Sequence, residues 1–217
     1  MSLLSQAPML TQEQQQQVAD AISAIERNTD AELVTVLARR ADRYTYIAIL
    51  YAAAIALLTP GIIALLLRWL GPWVTFGLWE ILFTQWSVFI VLALVLQWPP
   101  LLARVIPAPV KRWRAANLAR RQFLEQNLHH THAHTGVLIF VSEIEHYVEI
   151  IADRGIDMHV EQAQWQHIVD AFTAQVKRDE ILQGFLQCVQ SCGELLQTHA
   201  PATSRKNELP NHMIVLD

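Results

Sequence analysis

The hydrophobic pattern of the chain is dominated by one long apolar block. This block runs from Tyr44 to Ala103, and only Arg68 and Glu80 in it are charged. Its first run, residues 46–67, has no charge and as a helix would be about 33 Å long, enough for a hydrocarbon core of about 30 Å. The second run covers about residues 78–98. The pattern predicts a hairpin of two membrane spans, because a chain of 217 residues cannot bury two such helices on all sides.

Basic residues predict the orientation of this hairpin. Arg39, Arg40 and Arg43 precede the first span, whereas the loop between the spans contains only Arg68. Six more basic residues follow the second span, namely Arg104, Lys111, Arg112, Arg114, Arg120 and Arg121. Because cytoplasmic segments carry the excess of Lys and Arg, both termini are predicted to lie in the cytoplasm and the loop outside.

The polar segments on either side of the hairpin show helical and strand-like patterns. Thr11 is a suitable N-cap for a helix over Gln12–Asn28, and Ala31–Leu37 is a strand-like run rich in Val, Leu and Thr. After the hairpin, the pattern predicts a basic amphipathic helix, two strands joined by a turn, and two further helices. These elements are Trp113–Leu128, Gly136–Ser142, Val148–Asp153, Val160–Val176 and Glu180–Thr198.

This order of elements predicts an α/β fold that the hairpin interrupts. A strand alone is not stable, so the strand before the hairpin must pair with strands after it. We expect a small mixed sheet flanked by helices, with the transmembrane hairpin inserted after the first strand. Residues 1–43 and 104–200 would build this domain on either side of the hairpin at 44–103. Residues 201–217 are predicted to form a C-terminal tail, polar apart from Met213–Leu216.

Charge and cysteine content narrow the class of protein. Outside the apolar block, 34 charged side chains fall on 157 residues, about 22%, which is close to the ~25% of soluble domains. The net charge is −4, and no basic stripe accompanies stacking aromatics, which argues against nucleic-acid binding. Cys188 and Cys192 have neither C-x-x-C nor zinc-ligand spacing, so we expect two buried thiols.

Two acidic residues at the end of a predicted strand are candidate metal ligands. Asp153 and Asp157 flank a turn that contains Gly155. Carboxylate oxygens beside such a turn suit Ca²⁺ or Mg²⁺. Their D-x-x-x-D spacing matches no EF-hand loop, and an acidic surface strip is more often simply solvated. No resident cofactor is otherwise expected.

Four histidines precede the second predicted strand, at His129, His130, His132 and His134. If the segment is extended, its alternating imidazoles can share a transition metal. The competing interpretation is a polar connection between a helix and a strand, since the run contains no cysteine or acidic ligand. Both interpretations stay open.

Motifs for catalysis are scarce. Ser142 ends a strand without the G-x-S-x-G context, and no P-loop, dinucleotide fingerprint or H-E-x-x-H motif is present. Glu143 and Glu145 alternate at a predicted turn and form a candidate pair of carboxylates, although adjacent acids at a hairpin are common. The residues leave enzymatic activity open and favour its absence.

Several segments resemble the TPM domain family. They are Leu10-Thr11, Ile25-Glu26, Thr29 and Ala31-Glu32-Leu33 before the block, then Thr135–Ser142, Val148–Ile156 and Asn207-Glu208-Leu209-Pro210 after it. The resemblance covers nearly the whole chain outside residues 44–103. It implies a mixed sheet with flanking helices, commonly tethered to a membrane. Family relatives include a thylakoid lumen protein credited with acid phosphatase activity, and accessory proteins of membrane receptors.

The resemblance implies two alternative functions. The first is a bacterial inner-membrane protein whose cytoplasmic TPM-like domain is a non-enzymatic accessory or scaffold module for a membrane-protein partner. The second is a membrane-tethered acid phosphatase or metal-dependent phosphoester hydrolase that uses Asp153 and Asp157. The chain departs from the phosphatase-like branch, because Pro8-Met9-Leu10-Thr11 replaces an Asp-bearing segment. The residues Asp153–Asp157 also stand where that branch has a Gly-rich turn with a Glu.

Membrane lipid is the other expected partner. Arg112, Arg114, Arg120 and Arg121 lie on the predicted basic helix. Each arginine near an anionic lipid surface contributes about 1 kcal/mol of attraction. The alternative is that these residues only set the orientation of the hairpin, and the two roles are compatible.

Overall fold

The computed structural model describes residues 10–70, 77–131, 133–178, 180–203 and 213–216. In chain order, the elements are α1 (Gln12–Glu26), β1 (Glu32–Ala38), α2 (Thr45–Leu70), α3 (Leu78–Val95), α4 (Pro99–Val105), α5 (Ala108–Glu125), β2 (Gly136–Ser142), β3 (Tyr147–Ala152), α6 (Arg154–Asp157), α7 (Gln162–Val176), α8 (Ile181–His199) and β4 (Met213–Leu216). A 3₁₀ turn, Leu128–His130, precedes β2. His132, Pro8-Met9 and Asn207–Pro210, on which three of the sequence interpretations rest, lie outside the described residues.

The chain divides into two compact units. One comprises Met1–Ala41 and Arg112–Asp217, and the other comprises Asp42–Lys111. The first unit contains a four-stranded sheet in the order β3-β2-β1-β4. Strand β1 runs parallel to both β2 and β4, whereas β3 is antiparallel to β2. The predicted α/β fold with a mixed sheet is therefore confirmed.

Helices cover both faces of the sheet, so β1 and β2 are buried along their whole length. Alternate residues of β1 point to opposite faces, as the strand period of two requires. Leu33 and Leu37 pack into the core formed with α1, α7 and α8, whereas Val34 and Val36 pack beneath α5. This two-sided burial explains why the predicted strand Gly136–Ser142 is a continuous apolar run rather than an alternating one.

Helix α8 supplies much of the first core. Phe185 packs edge-on against Phe172 of α7, with ring centroids 5.0 Å apart. Cys188 and Cys192 are buried on the same face. The Cys188 thiol and burial together raise the pKa of the Cys192 thiol well above its usual range, so this thiol stays protonated in the core.

Helix α1 begins as its sequence predicts. The side chain of Thr11 accepts a hydrogen bond from the Gln14 amide, and the Gln14 side chain accepts one from the Thr11 amide. This reciprocal capping box satisfies two donors that an uncapped helix would leave open.

Two differences from the predicted elements have clear physical causes. Met213–Leu216, predicted to lie in a tail, pairs in parallel with β1 as the edge strand β4. The run is apolar but only four residues long, and pairing with the open edge of β1 makes it a strand. Helix α5 begins at Ala108 rather than Trp113. Pro109 fits in its first turn, because an N–H group at that position would have no partner within the helix.

The second unit is built around the apolar helices α2 and α3. By length and composition, both are candidate membrane spans, over Thr45–Trp69 and Leu78–Val95. Helix α2 continues through Pro60. Only 11% of the most apolar window of α2 and none of that of α3 is buried within the chain. Their large apolar side chains are therefore left exposed.

Candidate functional site

The candidate site lies at the end of the sheet where β2 begins and β3 ends. These strands are antiparallel, with Val137 opposite Ala152, so the residues just before β2 meet those just after β3. The amide of Asp153 extends the ladder by donating to the carbonyl of Gly136 at 2.8 Å. Asp153 then caps α6, since its Oδ1 accepts the amide N–H of Arg154 at 2.7 Å.

Three side chains meet at this corner in one hydrogen-bonded chain. The Nδ1 atom of His134 lies 3.1 Å from Oδ2 of Asp153, and its Nε2 atom lies 2.6 Å from Nη2 of Arg154. Because a guanidinium can only donate, Nε2 accepts from Arg154 and Nδ1 carries the proton that it donates to Asp153. The contacts therefore favour a neutral imidazole whose two nitrogens are both engaged.

The backbone at this corner is closely packed. His134 has φ of 56°, a left-handed conformation that few non-glycine residues adopt. The amide of Gly155 donates to the carbonyl of His134 at 2.9 Å. A Cβ atom at Gly155 would lie 2.3 Å from the Ala133 oxygen and 2.6 Å from the His134 oxygen. Only glycine allows α6 to approach the segment before β2 so closely.

The two predicted metal ligands differ in their surroundings, although the amide of Asp157 donates to the carbonyl of Asp153 at 2.9 Å. Asp153 is partly buried and engaged with His134, whereas Asp157 is exposed on α6. Within the described residues, no group of three or more His, Cys, Asp or Glu side chains is placed to hold a metal ion. Ca²⁺ or Mg²⁺ binding by Asp153 and Asp157 thus stays a prediction, and Asp153 is the member with a defined environment.

The histidine run is folded rather than extended. His129 and His130 lie in the 3₁₀ turn with their ring centroids 4.0 Å apart, and Nδ1 of His129 has no hydrogen-bond partner within the described part of the chain. His134 is instead part of the corner with Asp153. The described histidines of this run, His129, His130 and His134, therefore do not form a single cluster.

A second polar cluster occupies the opposite end of β2. The hydroxyl of Ser142 donates to the carboxylate of Glu145, and both residues are buried. Glu143 lies in the same turn but is partly exposed. The predicted pair of acids is thus divided, with one carboxylate held inside the fold by a serine and the other near solvent.

Tyr147 and Glu149 lie beside this cluster on β3. The phenol of Tyr147 donates to the Glu149 carboxylate at 2.9 Å. Burial and then the Glu149 charge raise the pKa of Tyr147 well above its usual value, against the opposing effect of Arg120 and Arg112. The cationic helix α5 therefore faces an acid and a phenol on the outer strand.

We expect this pair to show in a pH titration of the whole protein. Tyr147 should form phenolate at higher pH than an ordinary tyrosine. Glu149→Gln should lower the pKa of Tyr147, because the Glu149 charge is one cause of the raised pKa. The neutral phenol stabilises the fold below about pH 10, and this stabilisation is lost as the pH rises through the raised pKa. Phenolate absorbance measures the shift, and Glu13→Gln on α1 is the matched control. An unchanged titration in Glu149→Gln would contradict the assignment.

Two features of these clusters escaped the sequence interpretation. The sequence interpretation gives Arg154 no role, although a residue just after one strand of an antiparallel pair lies near the residue just before its partner. The Tyr147–Glu149 contact had a signal in its spacing, since residues two apart on a strand share a face. The contributions of Arg112 and Arg120 depend on how α5 packs and had no such signal.

Comparisons with known proteins agree with this architecture. Residues 108–195 match the family model of the TPM domain. The NMR structure of the BA42 protein from the psychrophilic bacterium Bizionia argentinensis is similar, with a TM-score of 0.58 and 19% sequence identity over 99% of each chain. At this identity the likeness shows the fold alone. No curated protein matches the chain.

The matched segment contains most of the candidate site. It includes α5, the β2–β3 pair and α6, and thus His134, Asp153 and Arg154. The sequence match and the shared mixed-sheet fold lead to the same assignment. The chain therefore contains a segment, residues 108–195, that matches the TPM domain.

Proposed function

We propose that this chain is an integral protein of the bacterial inner membrane, in which α2 and α3 cross the bilayer and the TPM domain serves in the cytoplasm as a non-enzymatic accessory module. The observation that carries the proposal is the exposure of large apolar side chains along both helices. Leu57, Leu65, Phe83 and Leu94 are each more than 60% exposed. In water such a surface is unfavourable, whereas in lipid it is the expected one.

The basic residues support the proposed orientation. Arg39, Arg40 and Arg43 lie on one side of the hairpin in the chain, and α5 with its arginines lies on the other. On α5, the Arg114 guanidinium stacks 4.9 Å from the centre of the exposed Trp113 ring. An exposed tryptophan with arginines is the composition expected at a lipid headgroup layer, so we propose that α5 contacts anionic lipid.

The contacts at the candidate corner support the non-enzymatic role. His134 uses both ring nitrogens, one on Asp153 and one on Arg154. To act as a general base, the imidazole would first have to release Arg154. A preformed chain of this kind holds β3, α6 and the segment before β2 together, which suits a rigid binding module.

A phosphoester hydrolase is the second candidate, because the same corner contains groups that can bind phosphate. Arginine and histidine are groups that bind phosphate oxygens, and Arg154 is exposed on the first turn of α6. In this role a phosphate would displace His134 from Arg154. The two candidates thus make opposite predictions about Asp153 and Arg154.

Turnover and partner capture discriminate between them. For the accessory role, the purified full chain should hydrolyse p-nitrophenyl phosphate no faster than its Asp153→Asn variant, and one membrane protein should co-purify in stoichiometric amount. Turnover that falls at least tenfold in both Asp153→Asn and Arg154→Gln, but not in the exposed control Asp157→Asn, would establish the hydrolase instead. Repeating the assay with Ca²⁺ and with Mg²⁺ tests the predicted metal site.

The orientation has its own test. A fluorescent reporter fused after residue 217 should be active in the cytoplasm, because the basic flanks of the hairpin are retained there. A β-lactamase inserted within residues 71–76 should protect cells, since this enzyme acts only outside the inner membrane. The reverse pattern would overturn the proposed topology while leaving the TPM assignment intact.

A further inference from the structure

A groove runs between α2 and α3 in the apolar hairpin, with a volume of about 460 Å³. Ala53, Ala56 and the larger Leu57 of α2 line one side. Leu82, Trp86 and Phe89 of α3 line the other, together with a single amide, that of Gln85. The small side chains on α2 leave room for another helix to approach the backbone.

The amide of Gln85 differs from three other polar side chains of the hairpin. Thr59, Thr84 and Gln97 each donate a hydrogen bond to the carbonyl oxygen four residues earlier in the chain. The Gln85 side chain makes no hydrogen bond with any residue that the structure describes. Its two donors and its acceptor are all available at the groove.

The depth of Gln85 makes this open amide significant. It is the eighth of the 18 residues of α3, so it lies about 11 Å from the start of the helix and near the middle of the span. Water is absent at that depth, and an unpaired amide there is strongly unfavourable. An acyl chain can fill an apolar groove but can neither donate nor accept a hydrogen bond. The occupant of this groove must therefore bring a polar group to the level of Gln85.

We propose that the occupant is the same groove of a second copy of this chain, in a two-fold pair of hairpins joined by hydrogen bonds between their Gln85 amides. The inference rests on the proposed insertion of α2 and α3 into the membrane. A carboxamide is both donor and acceptor and therefore pairs with itself. Two copies with the same orientation carry Gln85 at the same depth, and a two-fold axis places the two side chains opposite each other.

The shape of the groove fits this pairing. Trp86 is 62% exposed beside Gln85, so each copy offers a large side chain next to the alanines of the other. Packing of a large side chain against the exposed Ala53 is the kind of contact that drives helix association in lipid, where apolar burial alone does not. The hydrogen bond then fixes the register of the two hairpins.

Association in a bilayer tests the pairing. The full chain, labelled with donor and acceptor dyes in phosphatidylethanolamine–phosphatidylglycerol vesicles, should show energy transfer that depends on the protein-to-lipid ratio. Gln85→Leu should weaken the dimer about tenfold, the size expected for one or two interhelical hydrogen bonds. Gln85→Asn should retain part of the affinity. Gln97→Leu is the matched control and should leave it unchanged, because that amide is satisfied within its own chain.

Cross-linking tests the geometry independently. Oxidation of membranes should give a disulfide dimer with Gln85→Cys but not with Phe83→Cys. Phe83 lies at almost the same depth on the opposite face of α3, and its side chain is 71% exposed. The wild-type protein shows how much disulfide dimer the buried Cys188 and Cys192 form by themselves. Equal cross-linking at positions 83 and 85 would overturn the pairing.

The outcomes separate this inference from the proposed function. Extraction of the protein from membranes at alkaline pH would overturn the membrane insertion and, with it, the pairing. A protein that resists extraction but stays monomeric, or whose dimer is indifferent to Gln85→Leu, would overturn the pairing alone. A foreign membrane protein captured by Gln85→Cys in place of a second copy would also overturn it.

Discussion

Removal of residues 213–217 should destabilise the α/β domain by about 4 kcal/mol, a large part of the 5–15 kcal/mol by which a typical domain is stable. Strand β4 covers both cores, since Met213 packs against the α1 and α8 side while Ile214 and Leu216 pack beneath α5. Its loss exposes these surfaces and unpairs the open edge of β1. We estimate about 1–1.5 kcal/mol for each of three partly buried side chains, with the lost hydrogen bonds in addition.

Hydrogen exchange of the full chain in detergent measures this effect. The amides of β1, at Glu32–Ala38, should exchange about a thousandfold faster in the truncated protein, because the free energy needed to open this strand falls by the predicted amount. Val215→Thr is the matched control, because it keeps the strand and alters only a side chain that is 39% exposed. Unchanged exchange of β1 in the truncated protein would show that residues 213–216 are a tail after all.

Gly155→Ala should destabilise the same domain by about 2–3 kcal/mol. The added methyl group would overlap the backbone oxygens of Ala133 and His134, which lie 2.3 and 2.6 Å from its position. Backbone atoms cannot move aside as a flexible side chain can, so α6 or the segment before β2 must shift. This shift outweighs the gain of up to about 1 kcal/mol that alanine usually brings to a helix.

The shift should also break the hydrogen-bonded corner. His134 is held to Asp153 by the same backbone approach, so Gly155→Ala should speed exchange at the start of β2 and lower the thermal midpoint by several degrees. Gly61→Ala is the matched control, because no atom outside its own stretch of helix backbone lies within 4 Å of the added methyl group. A Gly155→Ala protein as stable as wild type would contradict the close approach of α6.

The candidate site was only partly predictable from the sequence. Asp153 stood out as an acid after a strand, and His134 stood out as part of a histidine run. Their contact with each other follows from the antiparallel pairing of β2 and β3, which brings together residues 19 apart in the chain. The sequence interpretation instead paired Asp153 with Asp157, its neighbour in the sequence. Local spacing did not reveal the contact with His134, because a sheet joins residues across strands.

Local physical chemistry in the sequence determined the elements whose signal lies within one segment. The apolar helices, the capping box at Thr11 and the bounds of β2 all follow from the periodicity or side chains of neighbouring residues. The sequence match to a TPM domain is likewise carried by such segments.

Only the tertiary structure decided the features that depend on distant partners. Met213–Leu216 is a strand because β1 offers it an open edge, and His134 has a defined environment because Asp153 and Arg154 arrive from beyond the next strand. The groove around Gln85 exists because two helices place small and large side chains on facing sides. In each case the stabilising contact joins residues that no local pattern connects, so it appears only when the chain is folded.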